Sequence, residues 1–189
     1  MASRIGLCSV AGGLALFVWG AVSWMVLPFN EQNLNSFSDE DAVAAVLSEN
    51  TNGHGVFVYP NSGNMSEEGQ KKLAQGPFAF VVFRPGATKP MGALMFSGLL
   101  INILAAGLVA NLLARSTCRT LGGRVLFCVL LCVTGGVLIR LSDWNWWYFP
   151  TGYVLQELFN MLVSGVLLGL VVGKLLGPMD DKSPAPQQS

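Results

Sequence analysis

The uncharged stretch IGLCSVAGGLALFVWGAVSWMVL, residues 5–27, decides the fold class of this chain. As a helix rising 1.5 Å per residue it reaches about 34 Å, enough to cross a hydrocarbon core of about 30 Å. Lipid offers the backbone no hydrogen bonds, so the stretch is expected to be helical. Three further apolar stretches have only Arg140 and Glu157 as charged residues: 91–114, 125–141 and 153–173.

The composition of the whole chain also indicates a membrane protein. Hydrophobic residues make up 52% and charged residues 12%, with a mean hydropathy of +0.51, whereas a soluble domain carries about 25% charged residues. The formal net charge is zero, so no nucleic-acid partner is expected. We expect a membrane all-α fold, a four-transmembrane-helix bundle with a small α/β extracytoplasmic lobe between helices 1 and 2. The predicted segments are transmembrane helices at 5–27, 91–114, 125–142 and 151–173, the lobe at 28–90, a cytoplasmic loop at 115–124, an extracytoplasmic Trp-rich loop at 143–150, and a disordered cytoplasmic tail at 174–189.

Basic residues at the ends of the spans predict the orientation. They precede the first span, join the second to the third and follow the fourth: Arg4, Arg115, Arg119, Arg124, Lys174 and Lys182. By the positive-inside rule both termini are then cytoplasmic and residues 28–90 extracytoplasmic. Four tryptophans are expected to anchor the helices at the interface: Trp24, Trp144, Trp146 and Trp147. The alternative, a signal peptide cleaved near Ser23, is disfavoured because the apolar stretch exceeds the usual core of about 7–15 residues.

The lobe is predicted to contain two helices and two strands. Ser38 is a candidate cap for a helix over 39–49, and Ser66 begins a second helix with acids early and lysines late. Residues 56–59 and 77–83 are the predicted strands. The acids at 39–41 are alternatively cation ligands, but the helix start accounts for them. His54, between two glycines, is expected to be a turn residue, because the lobe has no second histidine or cysteine to complete a dyad.

No complete metal, cofactor or catalytic motif is found, so neither metal nor cofactor is expected. Cys128 and Cys132 lie four residues apart in the third span, and we expect them to be packing residues and not a redox pair. Glycines are expected to pack helices, either inside the chain or against another subunit. They recur every seven residues in the first span (Gly6, Gly13, Gly20) and every four in the last (Gly165, Gly169, Gly173).

Polar side chains within the spans are the candidate functional residues. Tyr153, Glu157, Asn160 and Ser164 share one face of the fourth span. An ionised acid there costs roughly 2.5–3.5 kcal/mol, so Glu157 needs a partner. We predict a structural pair between Glu157 and Arg140, although Asp143 competes for the arginine. The alternative is a proton or cation relay through Glu157 and Asn160. Asn102 and Asn111 are expected on opposite faces of the second span, each bonding a neighbouring helix.

Four short stretches carry a resemblance: 24–28 (WMVLP), 37–40 (FSDE), 83–85 (FRP) and 145–150 (NWWYFP). Together they resemble small, uncharacterised bacterial inner-membrane proteins with four spans and a long first extracytoplasmic loop. The resemblance implies a bacterial inner membrane and supplies no catalytic residue, cofactor or substrate.

The leading functional hypothesis is a non-catalytic subunit or interaction protein, an accessory component of a larger membrane complex whose partners are lipid and other membrane protein subunits. The second is a small transporter or ion pathway using Glu157, Asn160 and Arg140. The third is a membrane enzyme at the outer interface. The first hypothesis, a non-catalytic subunit, is favoured by the lack of an obvious polar pathway, by the glycine repeats and by the small lobe.

Overall fold

The computed structural model describes residues 2–28, 32–61 and 66–177. Its elements, in chain order, are α1 (Ala2–Met25), α2 (Glu40–Asn50), β1 (Gly55–Tyr59), α3 (Glu67–Gln75), β2 (Ala79–Phe83), α4 (Met91–Arg115), α5 (Leu121–Trp147) and α6 (Thr151–Leu175). Four of these helices, α1, α4, α5 and α6, are long and apolar enough to cross a membrane. The chain divides into two compact units, Leu34–Lys89 and the remainder.

The smaller unit contains the predicted helices and strands. β1 and β2 pair antiparallel, with Val56 opposite Val82. Ser66 caps α3 by accepting a bond from the backbone N–H of Gly69. The cap of α2 is Asp39 and not Ser38, because the Asp39 carboxylate accepts the N–H of Ala42 and its charge also suits the helix N-terminus. The core is thin, since only Pro60 and Gly69 are buried among the described residues of this unit.

The larger unit brings the four long helices together. α1 packs extensively against α4 and α6, and α6 packs extensively against α5, whereas α4 and α5 make little contact with one another. Fully buried side chains from all four helices form one apolar core: Cys8, Ala106, Ala110, Leu113, Cys128 and Val172. These residues come from the first half of α1 and α5 and the second half of α4 and α6. We call this half of the unit the closed end and the other half, where α1 and α5 finish, the open end.

Glycines of α6 allow the close approach to α5. A methyl group added at Gly165 would lie 2.6 Å from the Cα of Val129, and one at Gly169 would collide with the Cα of Val125. The first span departs from the expected pattern. A methyl group at Gly6 or Gly20 would meet nothing within 4 Å, whereas one at Gly13 would lie 2.6 Å from the Cα of Ile103. The seven-residue glycine repeat therefore does not describe the packing of α1, because Gly13 alone of the three predicted glycines contacts α4 closely.

The ends of α5 differ from the predicted loops. The helix begins at Leu121, where the Thr120 hydroxyl accepts the N–H of Gly123, and it continues to Trp147. Most of the predicted Trp-rich loop is therefore helical, and the connection to α6 is only 148–150. Tyr148 ends the helix in the left-handed conformation, at φ 57°. The aromatic run did not predict this extension, because aromatic residues are compatible both with a helix and with the membrane interface. Residues 178–189 of the predicted tail lie outside the described part of the chain.

A polar cavity as the candidate functional site

A cavity of about 340 Å³ lies in the larger unit, within the range of small-molecule sites, about 300–1,000 Å³. Its walls combine apolar residues with the side chains of Trp19, Ser23, Trp24, Asn102, Glu157, Asn160 and Ser164. Three of the four residues on the predicted polar face of the last span therefore reach one cavity. Tyr153, the fourth, instead packs its ring against Phe149 at a centroid distance of 5.5 Å.

The cavity ends on the apolar core. Val109 and Leu168 line it and also belong to the buried core of the closed end. Among the described residues, α5 contributes only Cys132 to the lining, and α5 and α4 make little mutual contact. The wall between these two helices is therefore incomplete. The arrangement is a pocket closed at one end by packed helices.

A hydrogen-bonded row joins α1 to α6 along one wall. The Ser23 hydroxyl donates to Oδ1 of Asn160 at 2.7 Å. The Nδ2 group of Asn160 donates to Oε1 of Glu157 at 3.5 Å, the long limit of a hydrogen bond. Ser23, which is 1% exposed, was not singled out from the sequence. A lone serine near the end of an apolar helix does not indicate which face of that helix meets a neighbour.

Three further polar side chains of the lining, those of Trp19, Asn102 and Ser164, have no hydrogen-bond partner in the described part of the chain. The indole Nε1 of Trp19 is buried and makes no hydrogen bond. Asn102 and Ser164 likewise make none there. Asn102 was expected to bond a neighbouring helix, but it lines the cavity instead. In a hydrocarbon environment such unsatisfied groups are unfavourable, so this wall is suited to a ligand or partner that supplies hydrogen bonds.

The predicted pair between Arg140 and Glu157 does not form. Nη1 of Arg140 donates to Oδ2 of Asp143 at 2.9 Å, and both side chains are about three-quarters buried. Asp143 prevails because it lies one helical turn along from Arg140 on α5, and three-residue spacing places two side chains side by side. Glu157 has no ion pair among the described residues, and Arg140 does not line the cavity.

A second polar cluster, at the closed end, was not predicted. Arg124 is 4% exposed and donates to three carbonyl oxygens: Cys118 at 3.2 Å, Gly173 at 2.6 Å and Gly177 at 2.8 Å. Arg4 donates to the carbonyl of Leu176 at 3.3 Å. These arginines satisfy carbonyls at the end of α6, where a cation also suits the helix dipole. From the sequence, Arg4 and Arg124 indicated only the orientation of the spans.

The remaining candidates are the two cysteines of the third span and the predicted tryptophan anchors. Cys128 belongs to the apolar core and Cys132 packs against it. The described residues contain no group of three or more histidine, cysteine or acidic side chains placed to hold a metal ion. Of the predicted anchors, Trp24 lines the cavity, and the Trp144 indole donates to the Thr151 hydroxyl at 3.2 Å. Trp146 is 70% and Trp147 37% exposed on the last turn of α5.

Comparison with protein-family models, curated proteins and solved structures finds no match to this chain.

Proposed function

We propose that this chain is a non-catalytic integral membrane subunit or interaction protein that docks a partner's transmembrane helix at its open end. The observation that carries the proposal is the incomplete wall between α4 and α5, which leaves the polar cavity accessible from the side. The lining offers hydrogen-bonding side chains and one carboxylate, but among the described residues it has no paired nucleophile and base. Binding therefore suits the lining better than catalysis does.

The energetic support comes from the unpaired groups of the wall. Trp19, Asn102 and Ser164 make no hydrogen bond through their side-chain polar groups within the described chain. Hydrogen bonds between helices in a membrane contribute about 0.6–2 kcal/mol each. A partner helix that supplies polar groups at this depth would gain such bonds, and it would also complete the missing wall.

The small unit supports the same proposal. It buries no large apolar side chain among its described residues, and several remain exposed, with Phe37 at 66%, Val56 at 60% and Val82 at 67%. Val56 and Val82 lie opposite one another in the two-stranded sheet. A unit with so little core gains stability from a partner surface. We place this unit outside a bacterial inner membrane and both termini in the cytoplasm, on the distribution of the arginines and lysines.

Site-specific photocrosslinking in native membranes tests this function. A photoreactive amino acid at position 102 faces the cavity, and one at position 104 is the control, because Leu104 is 64% exposed on the same helix. We expect one discrete protein adduct from position 102, identified by mass spectrometry, and none from position 104. Equal adducts from both positions, or an isolated monomer in several mild detergents with lipid adducts alone, would contradict the proposal.

A small transporter or ion pathway is the second candidate, and the row from Ser23 through Asn160 to Glu157 favours it. The apolar floor at Val109 and Leu168 disfavours it, since a pathway must open there. Proteoliposomes with an internal pH-sensitive dye separate the two candidates. Proton or cation flux that is lost in Glu157→Gln would support transport, and no flux above empty liposomes would support the subunit.

A further inference from the structure

We infer that the partner helix carries a lysine or arginine whose cation enters the cavity and pairs with Glu157. This inference rests on the proposed docking function and adds the chemistry of the partner. Among the residues that the structure describes, Glu157 is the only charged one that lines the cavity. The described part of the chain therefore presents one acid, without a counter-charge in the lining, to a site that is open on one side.

The cations of the chain's own helices are engaged or distant. Arg140, the nearest in the predicted topology, is paired with Asp143. Arg4 and Arg124 bond carbonyls at the closed end, and Nε of Arg115 donates to Asn111 there. Within the described residues, the Glu157 carboxylate accepts one hydrogen bond, from the amide of Asn160 at 3.5 Å. One neutral donor at that distance compensates a carboxylate within a membrane span poorly.

The neighbours of Glu157 fit an incoming cation. The Ser23 hydroxyl donates to Oδ1 of Asn160 and so fixes the amide with its Nδ2 toward Glu157. Lone pairs remain on Ser23 Oγ and on the side-chain oxygens of Asn102 and Ser164. An ammonium has three donors and a guanidinium five, and neither accepts a bond. A lining with one carboxylate and several neutral oxygens therefore suits a cation better than an anion or a second acid.

The indole groups of the lining and the volume of the cavity also favour the cationic end of a long side chain. Trp19 and Trp24 both line the cavity, and indole is the most favourable aromatic partner for a cation. The cavity, at about 340 Å³, has room for the end of one long side chain but not for a helix. The helix itself would lie in the gap between α4 and α5, with only its basic side chain reaching Glu157.

Model transmembrane peptides reconstituted with the full-length protein in bilayers test this inference. One leucine–alanine peptide carries a single lysine, and its matched control carries norleucine at that position. Glu157 lies six residues after Thr151, so the lysine is placed about 9 Å into the span. Association is measured by energy transfer between dyes on the peptide and on the protein. We expect the lysine peptide to bind at least about tenfold more tightly, and Glu157→Gln to abolish the difference.

The outcomes for the cation pair and for the docking function are distinguishable. Equal binding of the two peptides, or a preference for lysine that persists in Glu157→Gln, overturns the inference. The docking function is judged separately, by the photocrosslink at position 102 in native membranes. Butylammonium that displaces the lysine peptide from the wild type, but not from Glu157→Gln, supports the cation site. A Glu157→Gln variant that loses its helical circular dichroism is replaced by Glu157→Asp, in which the lysine preference is expected to persist.

Discussion

Nη1 of Arg124 donates a hydrogen bond of 2.6 Å to the carbonyl oxygen of Gly173, 49 residues further along the chain. This bond joins the first turn of α5 to the last turn of α6. The Gly173 carbonyl belongs to the last turn of a helix, where backbone acceptors have no intrahelical donors. A buried arginine at this position therefore closes the end of the bundle opposite to the cavity.

Loss of the arginine should destabilise the larger unit. Arg124→Met leaves the carbonyls of Cys118, Gly173 and Gly177 without this donor, so we expect the free energy of unfolding to fall by about 2–4 kcal/mol. Arg124→Lys should lose less, because an ammonium keeps the charge but lacks the planar fork. The measurement is reversible unfolding in mixed detergent. The control is Arg119→Met, at an exposed residue of the connection that precedes α5. Equal effects of Arg124→Met and Arg119→Met would refute the closing role.

Glycine substitutions distinguish close packing from mere sequence periodicity. Gly169→Ala should cost about 1–3 kcal/mol, because the added methyl group would collide with the backbone of Val125. Gly6→Ala belongs to the other glycine series and should be neutral or slightly stabilising, since nothing lies within 4 Å of the new methyl group. Thermal unfolding of both variants in one detergent checks this. A stable Gly169→Ala protein would show that α5 and α6 do not approach as closely as described.

Double-mutant cycles separate the two possible partners of Arg140. Arg140→Gln and Asp143→Asn should be coupled by about 0.5–1 kcal/mol, because their side chains are bonded at 2.9 Å. Arg140→Gln and Glu157→Gln should be additive to within about 0.5 kcal/mol. Free energies of unfolding for the single and double variants supply both cycles. Coupling between Arg140 and Glu157 would contradict the structure and support the pair that the sequence predicted.

The small unit contains an ion pair whose contribution to stability depends on pH. A hydrogen bond from Lys72, at 2.7 Å, lowers the pKa of Glu68, and the positive charge of Lys72 adds to this effect. A lowered carboxyl pKa means that the contribution to stability is present above the unfolded pKa and is lost as the pH falls through the folded value. The same contact raises the pKa of Lys72, so that part of the contribution is lost at alkaline pH.

An NMR titration of the full-length protein, with labelled glutamate, checks the contact. Lys72→Met should return the pKa of Glu68 to its ordinary value, whereas Lys71→Met, at the neighbouring position, should leave the pKa lowered. An unchanged pKa of Glu68 in Lys72→Met would show that the ion pair is not populated in solution.

The apolar stretches determined most of the fold by themselves. Four long helices follow from the sequence because each stretch has the length and hydropathy of a membrane span. The helix of the small unit that starts after Ser66 follows from local cap chemistry, since one serine and its first turn contain the necessary groups. These predictions need only residues that are close together in the chain.

Tertiary structure decided which polar groups meet. Arg140 and Asp143 are neighbours on α5 however that helix packs, whereas a bond from Arg140 to Glu157 requires one particular rotation of α5 against α6, and both choices agree with the sequence. The contact of Ser23 with Asn160 depends on which face of α1 meets α6. In an apolar helix that is hydrophobic on every side, periodicity does not mark the packed face. The cavity around Glu157 was therefore set by the packing of the helices and not by any motif within one of them.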